Sequence, residues 1–265
     1  MQIRFFKKIF LIALFFYLPV QSMAWGQLGH RIVGEIADGY LTEKAKTEIK
    51  KILGNESVAI ASNWADFIKS DSTYKYLDIW HYINFEKNLN YDQLKEVLKK
   101  DTAIDAYTKI NFLIKELKKK TLVKEKKQMY LRLLIHLVGD IHQPLHVSPV
   151  GTTGGNDIKV QWFNASSNLH RVWDSQLIEQ QQLSYSEYVK DINHTTLTQR
   201  KKLQQQPLSL WLFESYTIAQ ELHNDIKEDN PKLGYRYNFD HIATINIQLV
   251  KGGVRLAGLL NDIFK

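Results

Sequence analysis

The stretch His136-Leu-Val-Gly-Asp140-Ile-His-Gln-Pro144-Leu-His146 decides how the fold is predicted. Residues four apart lie on one face of a helix, so His136 and Asp140 project to the same side. Pro144 lacks a backbone donor and restricts the residue before it, so the helix predicted for 124–141 ends there. His146 follows the break, where the chain can turn back toward the same place. The stretch therefore predicts three candidate ligands at one end of a helix.

A second pair with the same spacing, His170 and Asp174, strengthens this interpretation. One His-x-x-x-Asp pair is a weak signal, but both pairs have apolar neighbours that would place them in the interior. Buried imidazoles and carboxylates need partners, and metal ions can serve. The chain has no cysteine, so any metal must bind to nitrogen and oxygen. His142 is interpreted as lying outside the ligand set because it points to another helix face. Three more histidines are interpreted as ordinary surface or core residues: His194, His223 and His241.

The N-terminal segment Met1–Ala24 reads as a secretory signal. It has a basic start, an apolar run over residues 9–18, and small residues before a cleavage point after Ala24. Cleavage there would give Trp25 a free α-amine, which can chelate a metal ion together with its own carbonyl. His30 lies five residues further on. Export would then also complete a metal site.

Composition leaves the range of functions wide. Removing 24 of the 265 residues leaves 241 and lowers the formal charge from +7 to +4, because the signal carries three cations and no anions. That length is ample for a sizeable core. The mild basic charge tolerates a polyanion without showing that one binds, and the lysines of residues 95–127 read as solvated helix faces. No second apolar run approaches the roughly 20 residues needed to span a bilayer, so we expect a soluble mature protein without a stable membrane anchor.

Apolar periodicity predicts a mainly α-helical chain. The residues from 157 to 163 alternate and predict a strand, one arm of a small hairpin, with 164–168 as loop. No repeat or low-complexity linker is visible, so one domain over 25–265 is the simplest expectation. The predicted helices span residues 27–40, 42–54, 58–69, 91–99, 102–119, 124–141, 184–192, 196–204, 207–229 and 239–264.

The candidate ligands outnumber the positions around one metal ion. A tetrahedral zinc takes four ligands, and a catalytic zinc keeps one position open for water. Five histidines, three aspartates and a chain terminus therefore suit a cluster of two or three ions. The candidates are Trp25, His30, Asp66, His81, His136, Asp140, His146, His170 and Asp174.

The candidate ligands lie within short motifs that follow one another along the whole mature chain. The motifs are Trp25-Gly-x-x-Gly-His30, Asn63-Trp-Ala-Asp66, Trp80-His81, the stretch from His136 to His146, Gly154-Gly-Asn-Asp157, Asn168-Leu-His-x-x-Trp-Asp174 and Gly252-Gly-Val-Arg-Leu256. Taken together, and in this order, they resemble the motifs of the S1/P1 nuclease family of zinc-dependent single-strand nucleases and 3'-nucleotidases.

The resemblance implies a mainly α-helical, phospholipase C/P1 nuclease-like fold that holds three zinc ions. Asp140 would bridge two of the ions through its two oxygens. One ion would take Asp66, His81, His136 and Asp140; the second His146, His170 and Asp174; the third the Trp25 amine and carbonyl, His30 and the other oxygen of Asp140.

The same resemblance implies hydrolysis of single-stranded DNA and RNA to 5'-phosphorylated products, with 3'-nucleotidase activity. Asp66 would orient the attacking water, and Lys69, one helical turn later, would hold a phosphate oxygen in the transition state. Tyr82 occupies the position of a base-stacking aromatic, and Asn156 that of a base-contacting residue. Asn84 departs from the family, which often has a carboxylate there. Base preference is therefore not carried over.

Two other functions remain open from the sequence. A zinc phospholipase C shares the terminal-tryptophan scheme, but it is expected to have glutamate where this chain has Asp174, and Tyr82 and Asn156 suit a base better than a lipid. A non-catalytic zinc-binding protein would need no cation such as Lys69 beside its metals. We expect an exported monomer, and the sequence leaves periplasmic and fully secreted locations open.

Overall fold

The computed structural model describes residues 25–265, so the predicted signal Met1–Ala24 lies outside the described residues. The described part is mainly helical, as the sequence predicts. Its α-helices are α1 Gln27–Asp38, α2 Glu43–Leu53, α3 Val58–Ala61, α4 Trp64–Ile68, α5 Tyr91–Lys99, α6 Ala106–Leu117, α7 Lys124–Asp140, α8 Leu169–Arg171, α9 Leu177–Glu179, α10 Tyr185–Ile192, α11 Leu197–Gln204, α12 Leu208–Asp225 and α13 Tyr235–Ile263.

The long helix α13 and the N-terminal helix α1 form the centre of the core. The apolar residues Ile32, Val33 and Ile36 recur at helical spacing on α1 and are fully buried. Gly253 on α13 allows this contact, because a Cβ there would lie 2.5 Å from Cβ of Ile36. Helix α7 packs against both helices, and every residue of its last two turns is buried. The end of α7 therefore lies deep in the protein.

Two small sheets connect the helices. The strands are β1 Ile83–Phe85, β2 Val147–Pro149, β3 Lys159–Trp162, β4 Ala165–Asn168 and β5 Lys232–Leu233. In the first sheet β1 and β2 are parallel, with Ile83 opposite Val147. This register brings the residues that precede each strand, Tyr82 and His146, close together.

The second sheet has the order β4-β3-β5 and contains the predicted hairpin. Strands β3 and β4 pair antiparallel, with Trp162 opposite Ala165. The two residues between them, Phe163 and Asn164, both have positive φ, +47° and +68°, as a tight hairpin turn needs. The prediction of loop for 164–168 was wrong, because pairing with β3 makes residues 165–168 a strand despite their polar sequence.

Several helix boundaries differ from the prediction. The helix expected over 58–69 is broken at Ser62-Asn63 into α3 and α4. The helix expected from residue 102 begins at Ala106, because the Asp105 side chain accepts a hydrogen bond from the Thr108 amide, 2.9 Å away, and caps it. Helix α12 ends at Asp225 instead of 229, and α13 begins at Tyr235 instead of 239.

Two helical segments were not predicted. A 3₁₀ helix covers Ser72–His81, where aromatic and polar residues alternate without a clear apolar period. A continuous helical stretch follows β4 through α8 and α9, with a π-helical turn over Val172–Gln176 between them. Both segments carry candidate ligands. Within residues 25–265, no helix is both long and apolar enough for a transmembrane span.

Candidate metal centre and substrate pocket

Three buried groups of histidine and aspartate side chains lie around the end of α7. In each group the potential ligand atoms lie within 4.8 Å of one another. The side chains come from α1, α4, α7, the short turn after α7, α8, the 3₁₀ helix Ser72–His81 and the π-helical turn, so distant parts of the sequence meet at one place. The groups are His81 with His136 and Asp140; His146 with His170 and Asp174; and His30 with Asp66 and His136.

The first group centres on Asp140. Its Oδ2 lies 2.9 Å from Nδ1 of His81 and 3.4 Å from Nε2 of His136. The predicted (i, i+4) pair on α7 thus faces a histidine from the end of the 3₁₀ helix. Asp66 lies nearby, with Oδ1 3.8 Å from Nε2 of His136. All four side chains predicted to share one ion are therefore adjacent.

His30 approaches the same carboxylate from the other side. Its Nε2 lies 3.3 Å from Oδ1 of Asp140, and its ring stacks on that of His136 with centroids 3.9 Å apart. Gly139 allows this approach, because a Cβ at that position would lie 2.8 Å from Nδ1 of His30. One oxygen of Asp140 thus faces His30 and the other faces His81 and His136. This is the arrangement that a bridging carboxylate needs.

In the second group, His146 lies on the short turn after α7, His170 on α8 and Asp174 on the π-helical turn. Nε2 of His170 lies 3.1 Å from Oδ2 of Asp174, and Nε2 of His146 lies 3.8 Å from Oδ1 of the same carboxylate. The Gln143 side chain donates a hydrogen bond to Oδ1 of Asp174. Gln143 lies within the motif from His136 to His146, and its residue type and spacing indicated no role. Its amide fixes the carboxylate of the second group.

Trp25 lies between the groups. It is fully buried. Its indole packs near Gly139, and the amide of Gly26 donates a hydrogen bond to the carbonyl of Asp174, 2.7 Å away. The beginning of the described chain is thus held beside both α7 and the π-helical turn. His30 follows it one turn into α1.

Backbone carbonyls orient three of the imidazoles. Nδ1 of His136 lies 2.6 Å from the carbonyl of Ser62, at the break between α3 and α4. Nδ1 of His146 lies 2.7 Å from the carbonyl of His81, and Nδ1 of His170 lies 2.7 Å from that of Gly154. Donation from Nδ1 fixes the tautomer and leaves the Nε2 lone pair to face the group. The sequence did not reveal these carbonyls, because any residue type can supply one.

Buried polar atoms in the centre fit bound cations. Several make no hydrogen bond to any described residue, although they are shielded from water: Nε2 of His81 and His146, Oδ2 of Asp66 and Oδ1 of Asp140. Burying such atoms without partners is costly. Imidazole nitrogen and carboxylate oxygen are ligands that zinc accepts. The donor set and its unsatisfied atoms therefore both suit metal ions.

Burial also sets the protonation states. Desolvation lowers the pKa of His30, His81 and His146 well below the ordinary histidine value, with further lowering by neighbouring cationic or imidazole groups. These imidazoles are therefore neutral at pH 7, which is the form that ligates metal. Desolvation raises the pKa of Asp140 well above its ordinary value, and the neighbouring carboxylate of Asp66 raises it further. The ionised Asp140 carboxylate needs positive charge close by.

Lys69 supplies one cation at the edge of the centre. It caps the C-terminal end of α4, and its Nζ lies 2.6 Å from Oδ1 of Asp66. Its side chain is 14% exposed, against 2% for Asp66. Lys69 and Asp66 therefore lie on the same face of the chain, and the Lys69 ammonium lies between the buried carboxylate and solvent.

A cavity of about 360 Å³ opens beside the second group. It contains all three predicted substrate-binding residues together with two candidate metal ligands. Its lining consists of Tyr82, Asn84, Leu145, His146, Thr153, Gly154, Asn156 and His170.

Gly154 shapes the wall of this cavity. Its φ is +59°, and a Cβ there would lie 2.6 Å from the carbonyl oxygen of Leu145. The position therefore needs glycine for both conformation and space. Its own carbonyl orients His170, and the Asn156 side chain donates to the carbonyl of Thr153, 2.9 Å away. The loop thus ties the cavity wall to the second group.

A larger cavity, of about 490 Å³, lies elsewhere, between α10, α11, α12 and α13. None of the predicted site residues lines it. Volume alone would favour that cavity, but convergent ligands and unsatisfied buried atoms occur beside the smaller one. We therefore assign the candidate site by its chemistry rather than by cavity size.

Comparisons with known proteins agree with the motifs. The sequence model of the family described as S1/P1 Nuclease matches residues 25–265. Endonuclease 3 of Arabidopsis thaliana is 29% identical over 92% of this chain and 90% of its own length. Nuclease P1 of Penicillium citrinum is 28% identical over 90% and 97%, and Nuclease S1 of Aspergillus oryzae 31% identical over 68% and 64%.

Proposed function

This chain belongs to the S1/P1 nuclease family, and on that premise we propose that it is an exported, zinc-dependent endonuclease. It cleaves single-stranded DNA and RNA to 5'-phosphorylated products and removes phosphate from 3'-nucleotides. The observation that carries the proposal is the cavity that shares His146 and His170 with the second His/Asp group. A substrate base in that cavity places its phosphate beside the candidate metal ligands.

Three zinc ions are proposed, with the ligands that the family resemblance implies. Asp66, His81, His136 and Asp140 would hold one, and His146, His170 and Asp174 would hold another. His30, the other oxygen of Asp140 and the Trp25 terminus would hold the third. The two-sided contacts of Asp140 support its role as the bridge. When bound, the zinc ions supply Lewis-acid activation of water and neutralise charge on the phosphate.

The protein's own residues position the reactants. Oδ1 of Asp66 is held by Lys69, whereas its Oδ2 makes no hydrogen bond within the described chain. A carboxylate oxygen has two lone pairs, so Oδ2 can face a metal ion and also accept a hydrogen bond that orients the attacking water. Lys69 holds its ammonium at the edge of the centre, where it can bind a non-bridging phosphate oxygen as negative charge develops.

The cavity selects unpaired bases. The Tyr82 ring is 43% exposed at its mouth and offers a stacking face. Asn84 and Asn156 offer amide groups that both donate and accept hydrogen bonds. A base can enter only after it leaves its stack, which costs a few kcal/mol in a duplex and less in a single strand. Preference for single strands follows from the shape of the site.

Export and cleavage after Ala24 complete the proposal. The family match begins at Trp25, the residue that the predicted cleavage would expose. The buried position of Trp25 beside Gly139 supports a terminus that belongs to the site. The protein acts as a monomer without a membrane anchor.

The proposal is tested by assaying protein that begins at Trp25 on matched single- and double-stranded DNA, on RNA and on a 3'-nucleotide. We expect strong preference for single strands, 5'-phosphate on the products, and loss of all activities after chelation with recovery on adding zinc. Equal rates on duplex and single strands would contradict the proposal. So would hydrolysis of a choline phospholipid without hydrolysis of nucleic acid.

A further inference from the structure

An aromatic surface with an embedded lysine lies on the chain segment that leads into the cavity residue Tyr82. It is formed by the 3₁₀ helix, α6 and α7, and we call it the aromatic track. Ring centroids follow one another at 5.9 Å, 6.5 Å and 5.5 Å along its members. The members in order are Tyr76, Trp80, Phe112 and Tyr130, with Lys109 above the middle two rings.

The aromatic track is partly open to solvent. Tyr76 is 52% exposed and Phe112 is 37% exposed, whereas Trp80 is buried beneath them. Neither Tyr76 nor Phe112 is needed to fill the core, and each leaves ring surface available. Neighbouring rings meet edge to face, at 73°, 79° and 70°, and an exposed ring face can stack a base with little sequence preference.

Lys109 is the cation of the track. Its Nζ lies 4.9 Å from the ring centre of Trp80 and 5.6 Å from that of Phe112. No carboxylate among residues 25–265 lies within 4.0 Å of the Lys109 Nζ. By contrast, Lys46, Lys51 and Lys99 on other helices each pair with a glutamate. Lys95 is the clearest contrast, since it lies 4.8 Å from the Tyr91 ring centre but also 2.8 Å from Asp92. The Lys109 ammonium is therefore available to a phosphate.

The track continues directly from the candidate site. Trp80 precedes the candidate ligand His81, which precedes the cavity residue Tyr82. The amide of Ala106, the first residue of α6, donates to the carbonyl of Tyr82 at 3.1 Å, and Lys109 follows on the same helix. A strand with one base beside Tyr82 could thus extend onto the track without crossing the protein.

We propose that the aromatic track binds the single-stranded nucleic acid beyond the nucleotide held in the cavity, with Lys109 on a phosphate and the Tyr76 and Phe112 rings against bases. The inference rests on the proposed nuclease function and deepens it. Long single strands then gain affinity from the track, whereas a 3'-mononucleotide fills the cavity alone.

The test compares substrates of different length in Lys109→Gln, Tyr76→Ala and the double variant. For a single-stranded oligothymidylate of about twelve nucleotides, we expect KM to rise about 10-fold in the double variant, as loss of one stacked base and one phosphate contact predicts. KM and kcat for a 3'-mononucleotide should stay at the wild-type values. The slope of log KM against log salt should fall by about 0.7 in Lys109→Gln, the value for one phosphate on a single strand.

Lys95→Gln is the matched control, because it removes a lysine that also lies over a ring but outside the track. It should change neither KM nor the salt slope. If the wild-type protein cleaves both substrates and the double variant keeps the wild-type oligonucleotide KM and salt slope, the track proposal is wrong and the proposed nuclease function stands. Failure of the wild-type to act on either substrate would instead overturn the proposed function. A parallel loss on both substrates would show a structural role and would also overturn the track.

Discussion

His136 and His142 are six residues apart and both fully buried, yet they belong to two different kinds of polar cluster. His142 lies in a network that contains its own cation: its Nδ1 contacts the carbonyl of Val138 at 2.7 Å, and its Nε2 lies 3.0 Å from Nη1 of Arg255. Nη2 of Arg255 in turn donates to Gln206 at 2.6 Å and Glu214 at 2.7 Å. His136 lies in the candidate metal centre, where neighbouring ligand atoms make no hydrogen bond to any described residue.

The two clusters differ in the source of the positive charge that stabilises their buried polar groups. Arg255 brings its positive charge with it, so Glu214 and His142 have a partner from within the chain. The centre around Asp140 has three aspartates and five histidines, and its main cation among the described residues is Lys69 at the edge. Desolvation by burial raises the pKa of Asp140 and Asp174, so their ionised forms are costly there. Buried carboxylates of this kind need charge from outside the chain. Both clusters are buried, and both contain atoms without a hydrogen bond to a described residue, such as Nε of Arg255. What distinguishes them is the buried cation, which Arg255 supplies to its own network and which the centre around Asp140 lacks apart from Lys69 at its edge.

The comparison is tested most severely by Asp140→Asn, which removes the carboxylate between the two sides of the centre. We expect loss of metal and a fall in turnover of more than about 1,000-fold, beyond the effect of losing a single transition-state contact. Zinc content and turnover on a single-stranded oligonucleotide are the measurements. Asp78→Asn, which changes an exposed carboxylate on the 3₁₀ helix, is the control. Wild-type zinc content with a near-normal rate in Asp140→Asn would contradict the bridging role.

A retained residue before Trp25 tests the terminal ligand. A free α-amine has a reference pKa of about 7.7–8.0, so zinc must displace its proton at neutral pH. A protein that begins Met-Trp25 has an amide nitrogen there instead, which is a poor ligand. We expect it to fold but to lose the ion held by His30, together with most of its activity. Mass spectrometry of the terminus beside the zinc count makes the test, and full zinc with full activity would show that Trp25 is only a packing residue.

Lys69→Ala should have a smaller effect than either change. It removes a contact made to the phosphate in the transition state and leaves the metal ligands in place. We expect the transition state to lose about 2–4 kcal/mol of stabilisation, which lowers kcat, while the zinc content stays unchanged. Lys69→Arg should recover part of the rate, because the positive charge remains. Loss of zinc in Lys69→Ala would show instead that the Asp66–Lys69 pair is structural.

Arg255→Met should leave turnover per folded molecule and the zinc count unchanged, because the network supplies no ligand. Removing one member of a buried charged pair costs about 3–5 kcal/mol, and we expect the lower end because Glu214 is 23% exposed and keeps Lys251 at 3.1 Å. Denaturant unfolding measures the free energy, and metal analysis is run on the same sample. A variant that loses zinc while keeping wild-type stability would show that the two clusters are not separate.

Much of this was predictable from residue spacing and motif, and the rest depended on the backbone. The (i, i+4) pair on α7 and the break at Pro144 followed from local rules, and the exclusion of His142 agrees with its place in the Arg255 network. Two elements could not be predicted. The 3₁₀ helix that ends at His81 has no apolar period, and the strand at 165–168 depends on pairing with β3. Carbonyls such as that of Ser62, which orients His136, leave no mark in the sequence.

The most direct test of the account is elemental analysis of protein that begins at Trp25, with turnover on single-stranded DNA measured on the same sample. The account predicts three zinc ions per chain. Removing them should abolish activity and lower the melting temperature, because ions that bind only the folded state stabilise it. One zinc ion or fewer in a fully active sample would contradict the account.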